Sequence, residues 1–318
     1  MLRAFFIFLS KAFWAQKLIM NWGFAWKVAS RFIAGITTTD VIQVVKKIND
    51  QGLNVTVDHL GENSASIEDT RVATKEVINL LEAINENAVQ ANVSIKLSQL
   101  GLTIDEELCK TNLETILYKA KETENFIRID MEDSLLTEST LNLVAWAKSI
   151  YSGVGTVIQS YLYRSENDVE NLVNLCIPIR MVKGAYKEPS QIAFPKKSDV
   201  DLNFDHLVKI CMNKIKICNF PEISQNGRFP PMIAIASHDN RRIEFGLQHA
   251  KTINLNKSMF EIQMLYGIRR ELQDQYMKQG YHVRVYVPYG THWYPYFMRR
   301  LAERPANIWF FLSNFLKK

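Results

Sequence analysis

NVTVDHL, residues 54–60, and TKEVINLLEAINENA, residues 74–88, together decide how this chain reads. The first is short, rich in β-branched residues and ends in the polar pair Asp58 and His59, which is the signature of a strand. In the second, Val77, Leu80, Leu81 and Ile84 recur at i, i+3, i+4 and i+7 and define one apolar helix face. The same strand-then-helix unit returns along the rest of the chain. Further strands are expected at NVSIKLS (92–98), FIRIDME (126–132), GTVIQSYLY (155–163), PIRMVKG (178–184), MIAIASH (232–238), FEIQMLY (260–266) and HVRVYVPY (282–289), with helical segments between them.

Eight such units predict a parallel sheet closed into an α/β barrel of the (βα)8 or TIM type, because an open doubly wound sheet more often has fewer strands and a Gly-rich first turn. No GxGxxG follows any strand. Val41, Val44, Val45 and Ile48 form an apolar stripe before Gly52, so residues 1–50 are expected to be an N-terminal helical extension packed on a barrel of residues 51–318. The stretch 185–201, with Pro189 and Pro195, reads as an extended loop.

Composition bounds the rest. The chain has 318 residues, 47% hydrophobic and 22% charged, which is ordinary globular usage and far from the profile of disorder. Its formal charge of +5 comes without a Lys/Arg block, so nucleic acid is not an expected partner. Cys109, Cys176, Cys211 and Cys218 form no CxxC pair and read as reduced thiols of a cytoplasmic protein. No apolar run is long enough to span a bilayer, and MLRAFFIFLSKAFWAQK lacks the long core and cleavage site of a signal peptide, so it is expected to stay in the mature chain.

Chemistry in such a barrel sits at the C-terminal ends of the strands. The polar residues expected there are Asp58 and His59; Lys96 and Ser98; Asp130, Glu132 and Asp133; Gln159; Arg180 and Lys183; Ser237, His238 and Asp239; Glu261 and Gln263; Arg284 and Tyr286. Any one of them also fits a buried ion pair. As a set, Lys96, Asp130, Arg180 and Lys183 put several charges on neighbouring strands, where burial is costly without mutual pairing or an anionic ligand. No metal is expected, since His238 has no second histidine at ligand spacing. Ser98, Ser160 and Ser237 lack a GxSxG context, and no phosphate loop is present. A cationic, aromatic pocket without a nucleophile fits a carboxylate substrate and an organic redox cofactor. The alternative is an aldolase or lyase with Lys96 or Lys183 as a Schiff-base amine; a third class, a membrane-associated barrel without activity, sits poorly with so complete a polar set.

RMVKGAY (180–186), ASHD (236–239), EIQMLYG (261–267) and VYVPYGTHWYPYFMRRLAERPAN (285–307) together resemble proline dehydrogenase, the flavoenzyme of proline catabolism. The likeness runs from SIKLSQLG (94–101) to the C-terminus, and its length resembles the single-function bacterial form rather than the bifunctional proline utilisation protein. The resemblance implies a distorted barrel with a final helix over its mouth and FAD as cofactor. It further implies oxidation of L-proline to Δ1-pyrroline-5-carboxylate, the first step toward glutamate, with electrons passed to a membrane quinone. The substrate amine is neutral when its hydride leaves, so activity is expected to rise with pH.

Carried over residue by residue, the resemblance makes Lys96, Arg299 and Arg300 the carboxylate clamp, with Asp130 and Glu303 as counter-charges. Arg180 lies by the flavin N5 edge; Met131, Gln159, Lys183, Gly184 and Ala185 line the isoalloxazine and pyrophosphate. Ser237 and His238 meet the pyrophosphate or adenosine side, and Glu261 the adenosine end. Tyr186, Tyr286 and Tyr296 wall the proline ring, and tyrosine at 296 favours proline over 4-hydroxyproline. Lys187 stands where the bifunctional branch has tryptophan, and ASHD replaces the more familiar ATHN, which weakens the role given to Ser237. The quinone requires contact with a membrane from its cytoplasmic face. Leu2, Phe5, Phe6, Leu9 and Phe13 beside Arg3, Lys11 and Lys17, or the terminal NIWFFLSNFLKK, read either as interfacial helices or as cover for the barrel.

Overall fold

The computed structural model describes Gln16, residues 23–61, residues 64–217, Phe220 and residues 222–303. Helices α1 (Gly23–Ala29) and α2 (Thr38–Asn49) lead into β1 (Asn54–His59), α3 (Ile67–Glu86), β2 (Ala91–Lys96), α4 (Glu106–Glu122), β3 (Ile127–Asp130) and α5 (Ser134–Ile150). The chain continues through β4 (Val154–Gln159), α6 (Ser165–Asn174), β5 (Ile179–Val182), α7 (Lys197–Ile217), β6 (Ile233–Ala236) and α8 (Asn240–Thr252). It ends with β7 (Phe260–Leu265), α9 (Arg270–Lys278), β8 (Val283–Tyr289) and α10 (Trp293–Glu303). All eight strands pair in parallel with their sequence neighbours, and β8 returns to β1 over the register Asn54↔Arg284 to His59↔Tyr289. The barrel is closed.

Strand alternation sorts the side chains. Val55, Val57, Val93, Ile95, Ile127, Ile129, Ile233, Ile235, Val283 and Val285 belong to the apolar core beneath the helices. On most strands the intervening residues are polar and bond across the interior, Ala234 and Ala236 of β6 excepted: Thr56 Oγ1 donates to Asn92 Oδ1 at 2.6 Å, and Arg180 of β5 reaches Asp130 of β3 at 2.8 Å. Barrel interiors are usually filled with branched apolar residues. This one is ionic along much of its height.

Local sequence explains the ends of elements. Thr37 with Asp40 and Ser66 with Asp69 form capping boxes at the starts of α2 and α3, and Asp105, Asp133 and Asp239 cap α4, α5 and α8. The expected strand at 155–163 stops at Gln159, because Ser160–Tyr163 turns: Leu162 N donates to Gln159 O, and Ser165 Oγ donates to Gln159 O and Leu162 O. The loop expected to reach residue 201 ends at 196, where α7 begins. Val41, Val45 and Ile48 of the predicted stripe are buried in the main core, with Val44 packed against it.

A second, smaller core joins α1 to α10 through Ala25, Val28, Ile33, Trp293, Phe297 and Leu301, together with Leu60 and Ile268. Leu60 follows β1 and Ile268 follows β7, so α10 lies on the C-terminal side of the barrel beside its mouth. The proposed terminal membrane segments, at residues 1–13 and 307–318, lie outside the described residues, as does Cys218. Among the described residues no helix is long and apolar enough to cross a membrane.

Gly155 on β4 is a point of close packing in the barrel wall. A Cβ there would stand 2.5 Å from Pro178 O and 2.7 Å from Arg128 Nη1. Gly155→Ala is therefore expected to lower stability by about 1–3 kcal/mol, read as a lower denaturant midpoint at unchanged slope; an unmoved midpoint would contradict this packing.

Candidate active site

Asp130, the last residue of β3, gathers the site. Its Oδ1 accepts from Ser94 Oγ at 2.7 Å and from Arg180 Nη1 at 2.8 Å, and its Oδ2 accepts from the Tyr286 hydroxyl at 3.0 Å. Lys96 Nζ stands 3.6 Å from the same carboxylate and 3.0 Å from Asp58. The parallel register sets Lys96 beside Asp130, and barrel closure brings β5 and β8 to the same point. The Arg180 guanidinium lies 5.1 Å from the centre of the Tyr286 ring, a cation–π contact.

The two aspartates titrate differently. Burial pushes the Asp58 carboxyl above its usual range, with Lys96 opposing the shift. Burial pushes Asp130 upward as well, but Arg180 and Lys96 outweigh it and hold its carboxyl below the usual value. Burial and then the Asp130 carboxylate push the Tyr286 phenol well above its ordinary value, so it keeps its proton and donates.

Of the charged set grouped from the sequence, Lys96, Asp130 and Arg180 come together, joined by Tyr286, while Lys183 pairs elsewhere, with Asp201 and Asp239. Around the mouth, Gln159 Nε2 donates to Glu132 O at 2.7 Å, and its Oε1 accepts from Ala185 N at 3.1 Å. This one amide ties the loop after β3, where Met131 is buried, to the loop after β5. Gly184 in that loop has φ +127 and its missing side chain makes room for Tyr161, whose ring atom would lie 2.5 Å from a Cβ. Lys183 is held by Asp239 at 2.7 Å and Asp201 at 2.5 Å. Ser237 Oγ accepts from Asp239 N, and His238 Nε2 accepts from Leu265 N at 2.9 Å, which fixes that nitrogen as the unprotonated one. Tyr186 stands 39% exposed on the loop after β5. On α10, Tyr296 is buried with the Arg300 guanidinium 5.0 Å from its ring centre, and Arg299 and Arg300 are both half-buried. The Glu303 side chain lies outside the described residues.

Glu261 departs from its expected place at the adenosine end. It is the second residue of β7 and Arg284 the second of β8, so both lie toward the closed N-terminal end of the barrel rather than at its mouth. Both side chains are 0% exposed, and Glu261 accepts from Arg284 Nε at 2.9 Å. Asp58 and Gln263, grouped only as strand-end polar residues, turn out to hold Lys96 and Arg180 directly. The parity of Asp58 with Thr56 in NVTVDHL already points it inward.

With this geometry in view, the comparisons are specific. A model of the proline dehydrogenase family matches residues 41–311. The chain belongs to that family. It is 42% identical over 316 residues to proline dehydrogenase 2 of Bacillus subtilis (strain 168), covering 99% of each chain. It is 41% identical over 297 residues to proline dehydrogenase of Deinococcus radiodurans, covering 92% of this chain and 91% of that one. The fold matches proline utilization A (PutA) from Bdellovibrio bacteriovorus, inactivated by N-propargylglycine, with a TM-score of 0.78 at 24% identity. That match covers 88% of this chain and only 33% of the larger protein. In this proline dehydrogenase family member, then, the eight-stranded barrel is the shared unit.

His59, beside Asp58 and 5.0 Å from the Tyr289 ring centre, reports on the mouth. Burial, then His292 and Lys96, push its imidazole from 6.5 down to about 4. A depressed histidine contributes stability that is fully present above pH 6.5 and is lost as pH falls from 6.5 toward 4, because the unfolded chain takes up the proton first. The loss is roughly 3 kcal/mol. Asp205, which burial pushes up to about 6, opposes this slope, so the comparison needs a variant. Denaturation midpoints between pH 7 and 4.5 should fall less steeply in His59→Gln than in the wild type; parallel profiles would contradict a neutral, half-buried His59.

Proposed function

We propose that this chain is a proline dehydrogenase that oxidises L-proline to Δ1-pyrroline-5-carboxylate, the first step of proline degradation to glutamate, with FAD as cofactor and a membrane quinone as electron acceptor. The observation that carries the reading is Arg180. It is 5% exposed, and although Asp130, Ser94 and Gln263 hold Nη1 and Nε, Nη2 has no hydrogen-bond partner. A buried donor left open in this way asks for an acceptor on a bound molecule. The exposed, positive-φ backbone at Gly184 and the strand-end Lys183 fit a flavin and its phosphates.

In this reading Arg180, Met131, Gln159, Lys183, Gly184 and Ala185 hold the flavin, with Ser237 and His238 toward its pyrophosphate or adenosine side. FAD, when bound, supplies the two-electron acceptor for the hydride that leaves C5 of the proline ring. Arg180 contributes a fixed positive charge that stabilises the negative charge arriving with that hydride. Lys96, Arg299 and Arg300 bind the substrate carboxylate, and guanidinium groups do so with bidentate geometry. Asp130 and Asp58 keep the Lys96 ammonium aimed, and Tyr286 holds its own proton on Asp130 while its ring closes the pocket with Tyr296 and Tyr186. Electron delivery to a quinone implies a cytoplasmic protein in peripheral contact with the inner face of the membrane.

Schiff-base chemistry fits less well. Lys96 lies between Asp58 and Asp130, and Lys183 between Asp201 and Asp239. An ammonium so engaged has no lone pair to offer a carbonyl.

The purified protein should show an oxidised flavin spectrum that bleaches on anaerobic addition of L-proline; a colourless protein that cannot be reconstituted with FAD would overturn the assignment. Arg300→Ala should raise KM for proline roughly 10- to 100-fold, the worth of a charged hydrogen bond, and an unchanged KM would remove Arg300 from the carboxylate clamp.

A further inference from the structure

Arg180 is tied to the closed end of the barrel by a continuous line of side chains. Its Nε donates to Gln263 Oε1 at 2.6 Å, Gln263 Nε2 donates to Glu261 Oε1 at 2.5 Å, and Arg284 Nε donates to Glu261 at 2.9 and 3.1 Å. Arg284 then donates through Nη1 to Val55 O at 2.9 Å and through Nη2 to Gly227 O at 2.8 Å. Gly227 has φ +65, and a Cβ on it would collide with Asn54, so the loop that receives Arg284 is seated against β1. Arg228, next to it, donates to Thr123 O at 3.1 Å and Ile84 O at 3.3 Å and accepts from Asn92 Nδ2 at 2.9 Å through its carbonyl. The anchor is therefore the rigid floor of the barrel and not the loops of its mouth.

We propose that Gln263 is a positioning residue that orients Arg180 and keeps it one side chain away from the carboxylate of Glu261, so that Arg180 faces the pocket with its charge only partly compensated. The proposal rests on the reading of Arg180 as a wall of the flavin pocket. A guanidinium can only donate and a carboxylate can only accept, so the Gln263 amide has a single orientation that satisfies both neighbours. An amide is neutral and carries donor and acceptor in one plane; a carboxylate at 263 would face that of Glu261 and give Arg180 a second full counter-charge beside Asp130. A thioether of similar length would leave Arg180 Nε without its bond and take from Glu261 Oε1 one of its two, among side chains that are all buried. The Asp130 carboxylate is already shared with Lys96 at 3.6 Å, which leaves Arg180 less than fully neutralised as it stands.

The test compares the wild-type holoenzyme with Gln263→Met, Gln263→Glu and the exchange Glu261→Gln/Gln263→Glu. Flavin midpoint potential, kcat, KM for proline and melting temperature are measured on each. The exchange keeps volume and net charge and leaves a donor and an acceptor in the line, but it puts the carboxylate against Arg180. Positioning predicts a more negative potential and a kcat lower by roughly tenfold in both glutamate variants, less than the about 10²–10³ lost with a direct donor, while KM changes less than threefold. The exchange should recover much of the melting temperature lost in Gln263→Glu without recovering the potential. Gln263→Met, which adds no charge, reads orientation alone and should lower kcat with KM nearly unchanged. A potential that matches the wild type in flavin-loaded glutamate variants, or that returns with the melting temperature in the exchange, would overturn the proposal and leave the flavin reading intact. A wild-type chain that takes up no FAD would instead overturn the flavin reading, and this proposal with it.

Discussion

The Asp130 carboxylate is the interaction on which the rest of the interior depends. A charge in this position is expensive to bury, and it is sustained by Ser94 on β2, Arg180 on β5, Tyr286 on β8 and Lys96 at the end of β2. Ser94 and Lys96 meet it through the β2–β3 register, and Arg180 and Tyr286 join them because the sheet closes on itself. Removing the carboxylate would leave two cations facing one another across the mouth. The geometry of the fold and the electrostatics of the site are thus one constraint.

That constraint inverts the usual economy of a barrel. The apolar residues of the strands face outward to the helices, where Val77, Leu80, Leu81 and Ile84 of α3 meet them. The interior holds two ionic tiers, Glu261 with Arg284 below and Asp58, Lys96, Asp130 and Arg180 above, with Gln263 between them. Buried ion pairs add little net stability over apolar packing. What they do supply is a fixed orientation for charges that must meet a ligand, with stability left to the outer shell.

Strand and helix order was legible in the sequence because the outer face of each strand is apolar and β-branched, and the helices carry a clean 3.6-residue stripe. Boundaries were less so: the tyrosines and leucine of Ser160–Tyr163 have strand composition, and the turn is made by Leu162 N on Gln159 O together with the hydroxyl of Ser165. Glu261 and Arg284 were misjudged in height, since alternation tells which way a residue points but not how far along the barrel axis it sits. Asp58 was visible as an inward polar residue, yet its pairing with Lys96 depends on the lateral register of β1 and β2, which no local pattern encodes. Arg299 and Arg300 enter through the family resemblance, and their placement comes from α10 packing on α1 through Trp293 and Phe297, a contact between segments more than 250 residues apart in sequence.

The longest closure, β1 with β8, joins chain segments separated by some 230 positions and runs over six residue pairs. Contacts of such separation carry a large loop-closure cost and form late in folding. Asp130 meets Tyr286 of β8, and Arg284 of β8 grips the backbone of β1, so neither ionic tier is complete until that final seam zips. A chain without that seam holds only part of the site, the contacts of Lys96 with Asp58 and of Ser94 with Asp130 between neighbouring strands. The pocket is complete only once the barrel has closed, and the capacity to bind a ligand there becomes a readout of that closure.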